Sequence, residues 1–192
     1  MSIPPLYTAR LVIRQYRPAD LEARHALMAE AFGSDDTLED TRRWLDWTLA
    51  GYRELARLYQ PPYGDYAVAL RGDDVAIGSV GLVPACVPWG ALRGEAGPHL
   101  ITPEFGLFWA IRTAHQRRGY ATEAARALVE FAFAGLNVRR LVATTEYDNS
   151  ASQAVMRRLG MTLHHNPGPE PPWFQVVGVL EHPAGSGGES PA

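Results

Sequence analysis

Apolar positions along the chain switch between strand and helix spacing. Leu11 to Gln15, β-branched and apolar, predicts a first strand. Pro18-Ala19-Asp20 offers a helix start with Asp20 as N-cap, and Leu21, Leu27 and Met28 follow near helical spacing. Gly33-Ser34-Asp35-Asp36 breaks that helix. A second begins near Thr37, carries Leu38, Leu45, Leu49 and Leu55, and ends at Pro61-Pro62. Tyr66 to Leu70 predicts a strand, Gly72-Asp73-Asp74 a turn, and Val75 to Pro84 the hairpin partner, with Gly78 and Gly81 as weak points or bulges. The segment Pro84 to Pro103 is rich in Pro and Gly, and a connection of that length points to a functional loop or flap.

Strand signals resume from Glu104 to Ile111. Ala121 to Ala134 predicts a helix with Glu123, Arg126 and Glu130 on one face and Ala124, Leu128, Phe131 and Ala132 around the other. Arg140 to Thr145 reads as a strand, Asn149 to Leu159 as a helix stopped by Gly160, and Phe174 to Leu180 as the closing strand. The alternation has no linker break, which predicts one α/β domain over residues 1 to 182. Residues 183 to 192, rich in Gly, Ser and Pro, read as a flexible tail.

Composition narrows the setting. A chain of 192 residues with 46% apolar and 20% charged residues can bury one full core. No apolar run approaches the ~20 residues that span a bilayer, and the N-terminus lacks a signal pattern. The single cysteine, Cys86, excludes an internal disulfide framework and fits a reducing cytoplasm. A net charge of −3 argues against nucleic acid as the main partner.

Candidate chemistry concentrates in His115-Gln116-Arg117-Arg118-Gly119-Tyr120-Ala121-Thr122-Glu123-Ala124-Ala125-Arg126. A strand leads into this stretch and an alanine-rich helix leaves it. The first turn of a helix presents free N–H groups, and its dipole adds roughly half a positive charge. With paired arginines beside it, such a turn can hold a pyrophosphate. Gly119 lets the backbone approach the phosphates with no Cβ in the way.

The motif Gln116-x-x-Gly119-x-Ala121 resembles the Gln/Arg-x-x-Gly-x-Gly/Ala loop of the GCN5-related N-acetyltransferases (GNAT). Three further stretches resemble the branch that acetylates ribosomal-protein N-termini (RimJ/RimL-like): Thr8-Ala9-Arg10-Leu11-Val12-Ile13-Arg14, Glu104-Phe105-Gly106-Leu107-Phe108-Trp109, and Asn149-Ser150-Ala151-Ser152 with Val155 to Met161. The resemblance covers about residues 8 to 181. It implies a mixed, mostly antiparallel, splayed sheet flanked by helices, acetyl-CoA as cosubstrate, no metal, and a primary amine as acceptor. The acceptor is a protein N-terminus or a small amine, and the protein a monomer or homodimer.

The resemblance also implies roles for individual residues. Backbone N–H groups of Arg117, Arg118, Gly119, Tyr120 and Ala121, within the Gln116–Thr122 loop, would face the pyrophosphate. An N–H near Ala110 or Ile111 would polarise the thioester carbonyl. Glu104 is the candidate general base, since an amine must lose a proton before it attacks; Glu146 stands in reserve. This chain departs from the branch pattern by two extra residues between Glu104 and Gly119, and by Thr113 where Pro is usual. Asn149 would bond the pantetheine arm or simply cap its helix. Ser152, one turn on, would protonate the leaving thiolate or serve only to position it.

Other features carry less. His164-His165 has no acidic or cysteine cluster beside it, so a metal is not expected. Asp35, Asp36, Glu39 and Asp40 form an acidic patch that would attract a cationic acceptor or lie on a solvated face. Trp44, Trp47, Trp89, Trp109 and Trp173 are expected to divide between the core and the acceptor pocket. All 18 basic residues are arginine, which fits either GC-rich codon usage or avoidance of self-acetylation. The rival to an enzyme is a non-catalytic acyl-CoA sensor that kept the phosphate loop.

Overall fold

The computed structural model describes residues 2 to 95, 97 and 99 to 185. Eight strands form one mixed, mostly antiparallel open sheet in the order β1-β2-β3-β4-β5-β6-β8-β7, accompanied by helices. The chain divides into two compact units, Met1–Val83 with Phe108–Leu128, and Pro84–Leu107 with Val129–Ala192.

The first unit contains β1 (Leu6–Tyr7), β2 (Leu11–Arg14), α1 (Leu21–Phe32), α2 (Leu38–Arg57), β3 (Gly64–Leu70) and most of β4 (Ala76–Val87). It also holds the C-terminal part of β5 (Thr102–Ile111) and the first turns of α4 (Tyr120–Leu136). Strand β2 pairs antiparallel with β3, Leu11 opposite Leu70 and Ile13 opposite Val68, which puts both apolar side chains into the core. Helix α1 stops because Gly33 takes the left-handed conformation, φ +63°. Helix α2 starts at Thr37, whose hydroxyl accepts from the Asp40 N–H while the Asp40 carboxylate accepts from the Thr37 N–H.

One expectation fails here. Asp20 sits at the N-cap of α1, but its side chain does not cap the helix. It accepts from the buried Arg14 guanidinium at 2.7 and 3.0 Å and from the Arg17 N–H at 2.8 Å. A bidentate charge-assisted pair is the stronger use of that carboxylate. Of the two glycines expected as weak points or bulges, Gly81 pairs in regular register with Asp65, and Gly78 borders the register shift, where Val68 pairs with Gly78, Ala69 with Ala76, and Ile77 is the extra residue. Both glycines are places of close approach, where a Cβ at Gly78 would meet the Ala110 carbonyl oxygen at 2.4 Å and one at Gly81 the Phe108 ring at 2.2 Å.

The second unit contains the end of β4, the short helix α3 (Trp89–Leu92), the start of β5, β6 (Arg140–Thr145), α5 (Ser150–Leu159), β7 (Thr162–His165) and β8 (Val176–Glu181). Val87, Val142, Phe174 and Val177 form its buried centre, with Trp89 and Leu92 packed against them. Strand β6 pairs parallel with β5 through Phe105–Leu141 and Gly106–Val142, and antiparallel with β8 from Arg140–Glu181 to Thr145–Val176. The expected long segment from Pro84 is shortened, because β4 continues to Val87 with Ala85 and Val87 turned inward and Pro84 and Cys86 exposed. Phe174 ends a 3-10 turn, so the closing strand begins at Val176. Of the expected tail, Pro183–Gly185 forms a 3-10 turn, and residues 186 to 192 lie outside the described residues.

Candidate acyl-CoA site

The loop from β5 to α4 lies in the first unit. Ala110 and Ile111 end β5 and are buried, and the next residue, Arg112, donates its N–H to the Ile77 carbonyl of β4 at 2.9 Å. A 3-10 turn, Thr113–His115, follows. The Gln116 amide then donates back to the Ile111 carbonyl at 2.9 Å, closing the base of the loop. Arg117 and Gly119 both take left-handed backbone angles, φ +59° and +82°. Glu123 N–H donates to the Gly119 carbonyl at 3.0 Å, the first bond at the start of α4. The N–H groups of Tyr120, Ala121 and Thr122 precede it, and these are the groups a helix leaves without an intrahelical acceptor. The Arg117 and Arg118 side chains are exposed beside them. This donor set suits a pyrophosphate.

Two ion pairs brace the loop from elsewhere in this unit. Glu30, near the end of α1, accepts from Arg112 at 2.8 and 3.1 Å and from the Thr113 N–H at 2.8 Å. The Arg112 guanidinium, with the Thr113 N–H, holds the Glu30 carboxyl below its usual range. Glu123 accepts from the Thr8 hydroxyl at 2.6 Å, the Arg10 N–H at 3.0 Å and the Arg10 guanidinium at 2.8 Å. Burial pushes the Glu123 carboxyl up, but these hydrogen bonds outweigh it and hold the group below its usual range.

The second unit holds the other candidates. Glu104, expected as a base, has a side chain only 7% exposed, and both oxygens are engaged. Arg140 donates to Oε2 at 2.8 Å and also to Oε1, while the Trp89 indole N–H donates to Oε1 at 3.1 Å. The Arg140 guanidinium lies 4.7 Å from the Trp89 ring centroid, and the Glu104 hydrogen bonds raise its pKa. Glu146 is partly buried and accepts from the Thr145 hydroxyl at 3.1 Å. Asn149 caps α5: its Oδ1 accepts from the Ser152 N–H at 3.0 Å. That bond leaves the Asn149 Nδ2 donor and the Ser152 hydroxyl outside the cap.

A family model for the acetyltransferase (GNAT) domain matches residues 10 to 162. The chain belongs to the GNAT acetyltransferase family. It is 33% identical over 158 residues to the uncharacterized N-acetyltransferase YnaD of Bacillus subtilis, covering 80% of each chain. Among solved structures, an acetyltransferase from Agrobacterium tumefaciens superposes with a TM-score of 0.67 at 29% identity, over 94% of this chain and 96% of that one. RimL, a ribosomal L7/L12 α-N-protein acetyltransferase in complex with coenzyme A, shares the fold at 18% identity and a TM-score of 0.60, over 90% and 93%.

In this GNAT chain two of the four acidic-patch residues have arginine partners. Asp40 pairs with Arg43 and Glu39 with Arg42 at 3.6 Å, each one turn along α2. The tryptophans differ in exposure. Trp44 lies under Arg24, 3.8 Å from its guanidinium carbon, whereas Trp47 is 73% exposed. His165 stacks on Tyr147, and among the described residues no group of three His, Cys, Asp or Glu could hold a metal. No described helix is long and apolar enough to cross a membrane. Arg10, Glu30, Arg112, Trp89 and Arg140 were not singled out as site residues by the sequence. Arg10 carried a hint as part of the quoted Thr8–Arg14 motif, and Trp89 as one of the tryptophans expected to divide between the core and the acceptor pocket.

Proposed function

We propose that this acetyltransferase moves an acetyl group from acetyl-CoA to a primary amine, by direct attack in a ternary complex. The loop Gln116–Thr122 carries the reading, because two left-handed residues and a helix start bring consecutive N–H groups to one place. Arg117, Arg118, Gly119, Tyr120 and Ala121 would hold the pyrophosphate. The backbone at Ala110 and Ile111 would polarise the thioester carbonyl, a contribution of about 3–4 kcal/mol for such a donor. Asn149 would bond the pantetheine arm through the donor its cap does not use. Ser152 would lie near the sulfur and return a proton to the leaving thiolate.

The base is assigned by what its side chain is free to do. Three of the roughly four acceptor positions on the Glu104 carboxylate are taken by a guanidinium and an indole, which leaves little of it facing an incoming amine. We therefore read Glu104 as a structural latch and give proton removal to Glu146 or to water. A protein N-terminal α-amine is our first acceptor class, supported by the motifs shared with the RimJ/RimL-like branch; a small amine is the second.

Mass spectrometry of labelled acetyl transfer tests this, with N-terminal peptides beginning with Ala, Ser and Met beside polyamines, aminoglycosides and amino acids. Label on peptide α-amines alone supports the first class, and label on a small amine alone the second. Coenzyme A binding with no acceptor labelled would favour the sensor.

A further inference from the structure

We infer that Arg10 is the residue that sets the shape of the phosphate loop, and so acts as a positioning residue for acyl-CoA from near the start of the chain. The inference rests on the acyl-CoA reading above. Left-handed backbone at Arg117 costs a non-glycine residue energy, so the loop must be held by something outside itself. Arg10 supplies the hold. Its Nη1 donates to the Arg118 carbonyl at 3.0 Å, and its guanidinium lies 4.5 Å from the Tyr120 ring centroid. Its Nη2 stands 3.5 Å from where a Cβ on Gly119 would be. The same group is anchored by Glu123, Nε to Oε2 at 2.8 Å and Nη2 to Oε2 at 2.6 Å. One side chain thus touches residues 118, 120 and 123 and stands beside the space a side chain at 119 would enter.

The consequence follows from peptide geometry. In a trans peptide the C=O of one residue and the N–H of the next point in opposite directions. Fixing the Arg118 carbonyl on Arg10 therefore turns the Gly119 N–H away from Arg10, to the opposite side of the loop, where it can serve a phosphate. A planar fork with several donors can hold the carbonyl and the carboxylate together; a lysine ammonium on a flexible stem cannot reproduce that fork. Arg10 itself is 47% exposed, so its loss does not empty a core site.

Calorimetric titration with coenzyme A, together with thermal unfolding, tests the assignment in Arg10→Ala, Arg10→Lys and Thr8→Val. Thr8→Val removes one partner of Glu123 but leaves every Arg10 contact with the loop. Both Arg10 variants should weaken coenzyme A binding about tenfold or more, as expected for a lost hydrogen bond to a charged group. Thr8→Val should stay within twofold of the wild type. Unchanged binding in Arg10→Ala overturns the inference, as does full rescue by lysine or an equal loss in Thr8→Val. Failure of the wild-type protein to bind coenzyme A is a different result, and it removes the acyl-CoA reading itself.

Discussion

The Trp89 indole donates a hydrogen bond to the Glu104 carboxylate at 3.1 Å, tying the short helix after β4 to the strand that follows it. Arg140 grips the same carboxylate and lies over the same indole. The three side chains form one unit, and the Pro- and Gly-rich segment between the two strands is pinned near its start.

Glu104→Gln separates latch from base. Removing one charge of this largely buried pair should cost about 3 kcal/mol of stability, read by urea denaturation. Turnover should stay within a few-fold of the wild type at a temperature where the variant is folded. A loss beyond about a hundredfold in a folded variant would return the base role to Glu104. Trp89→Phe keeps the ring but removes the N–H, and should cost about 1 kcal/mol.

Glu123 gives a pH signature. Its folded-state carboxyl lies below its ordinary value of 4.5, held there by Thr8 and Arg10. A carboxylate shifted down adds stability that is fully present above the unfolded value and is lost as pH falls through the folded one. The stability gap between wild type and Glu123→Gln should therefore be full at pH 7 and shrink steadily below about pH 4.5. Denaturation curves at several pH values check this. A gap independent of pH would remove the charge from the account.

Asn149 can be split into two roles. Asn149→Ala deletes the α5 cap and should cost about 1 kcal/mol. Asn149→Asp keeps an accepting oxygen, so the cap survives, but it lacks the amide donor. If the donor bonds the pantetheine arm, Asn149→Asp should raise the KM for acetyl-CoA while leaving stability near the wild type. Equal KM values in wild type and Asn149→Asp would reduce Asn149 to a cap.

Gly78→Ala probes the end of β5. The added Cβ would meet the Ala110 carbonyl oxygen at 2.4 Å and the Ile111 Cδ1 at 2.6 Å. The side-chain carbon can rotate aside; the carbonyl oxygen moves only with its strand. The expected cost is about 1–3 kcal/mol. Because Ala110 and Ile111 carry the proposed carbonyl-polarising N–H, kcat should fall more than KM for acetyl-CoA rises. Full kcat in a destabilised but folded variant would put that donor elsewhere.

Gly119→Ala acts through the backbone alone. The nearest atom to its Cβ would be 3.5 Å away, an ordinary contact, but φ is +82°. The strain should cost about 1–2 kcal/mol, and coenzyme A binding measured by calorimetry should weaken as the loop relaxes.

The sequence by itself determined what is local. Thr37 with Asp40, Asn149 ahead of α5, and Gly33 and Gly160 in left-handed closures are written within a few residues of the features they end or begin. Strand β6 matched its expected bounds, Arg140 to Thr145, because a short apolar run followed by a turn marks a strand without reference to its neighbours. The loop proposed to hold phosphate was legible in its backbone for the same reason, since a helix start and a glycine are local signals. Tertiary structure decided which charges meet. Asp20 looked like a cap until the buried Arg14 claimed it, and nothing local announced that Glu104 would meet Arg140 and Trp89. Arg10 and Glu123 stand 113 residues apart in the chain. Periodicity says which face of an element is buried, but partners such as these are fixed only when distant elements are brought into register, and no local pattern encodes that register.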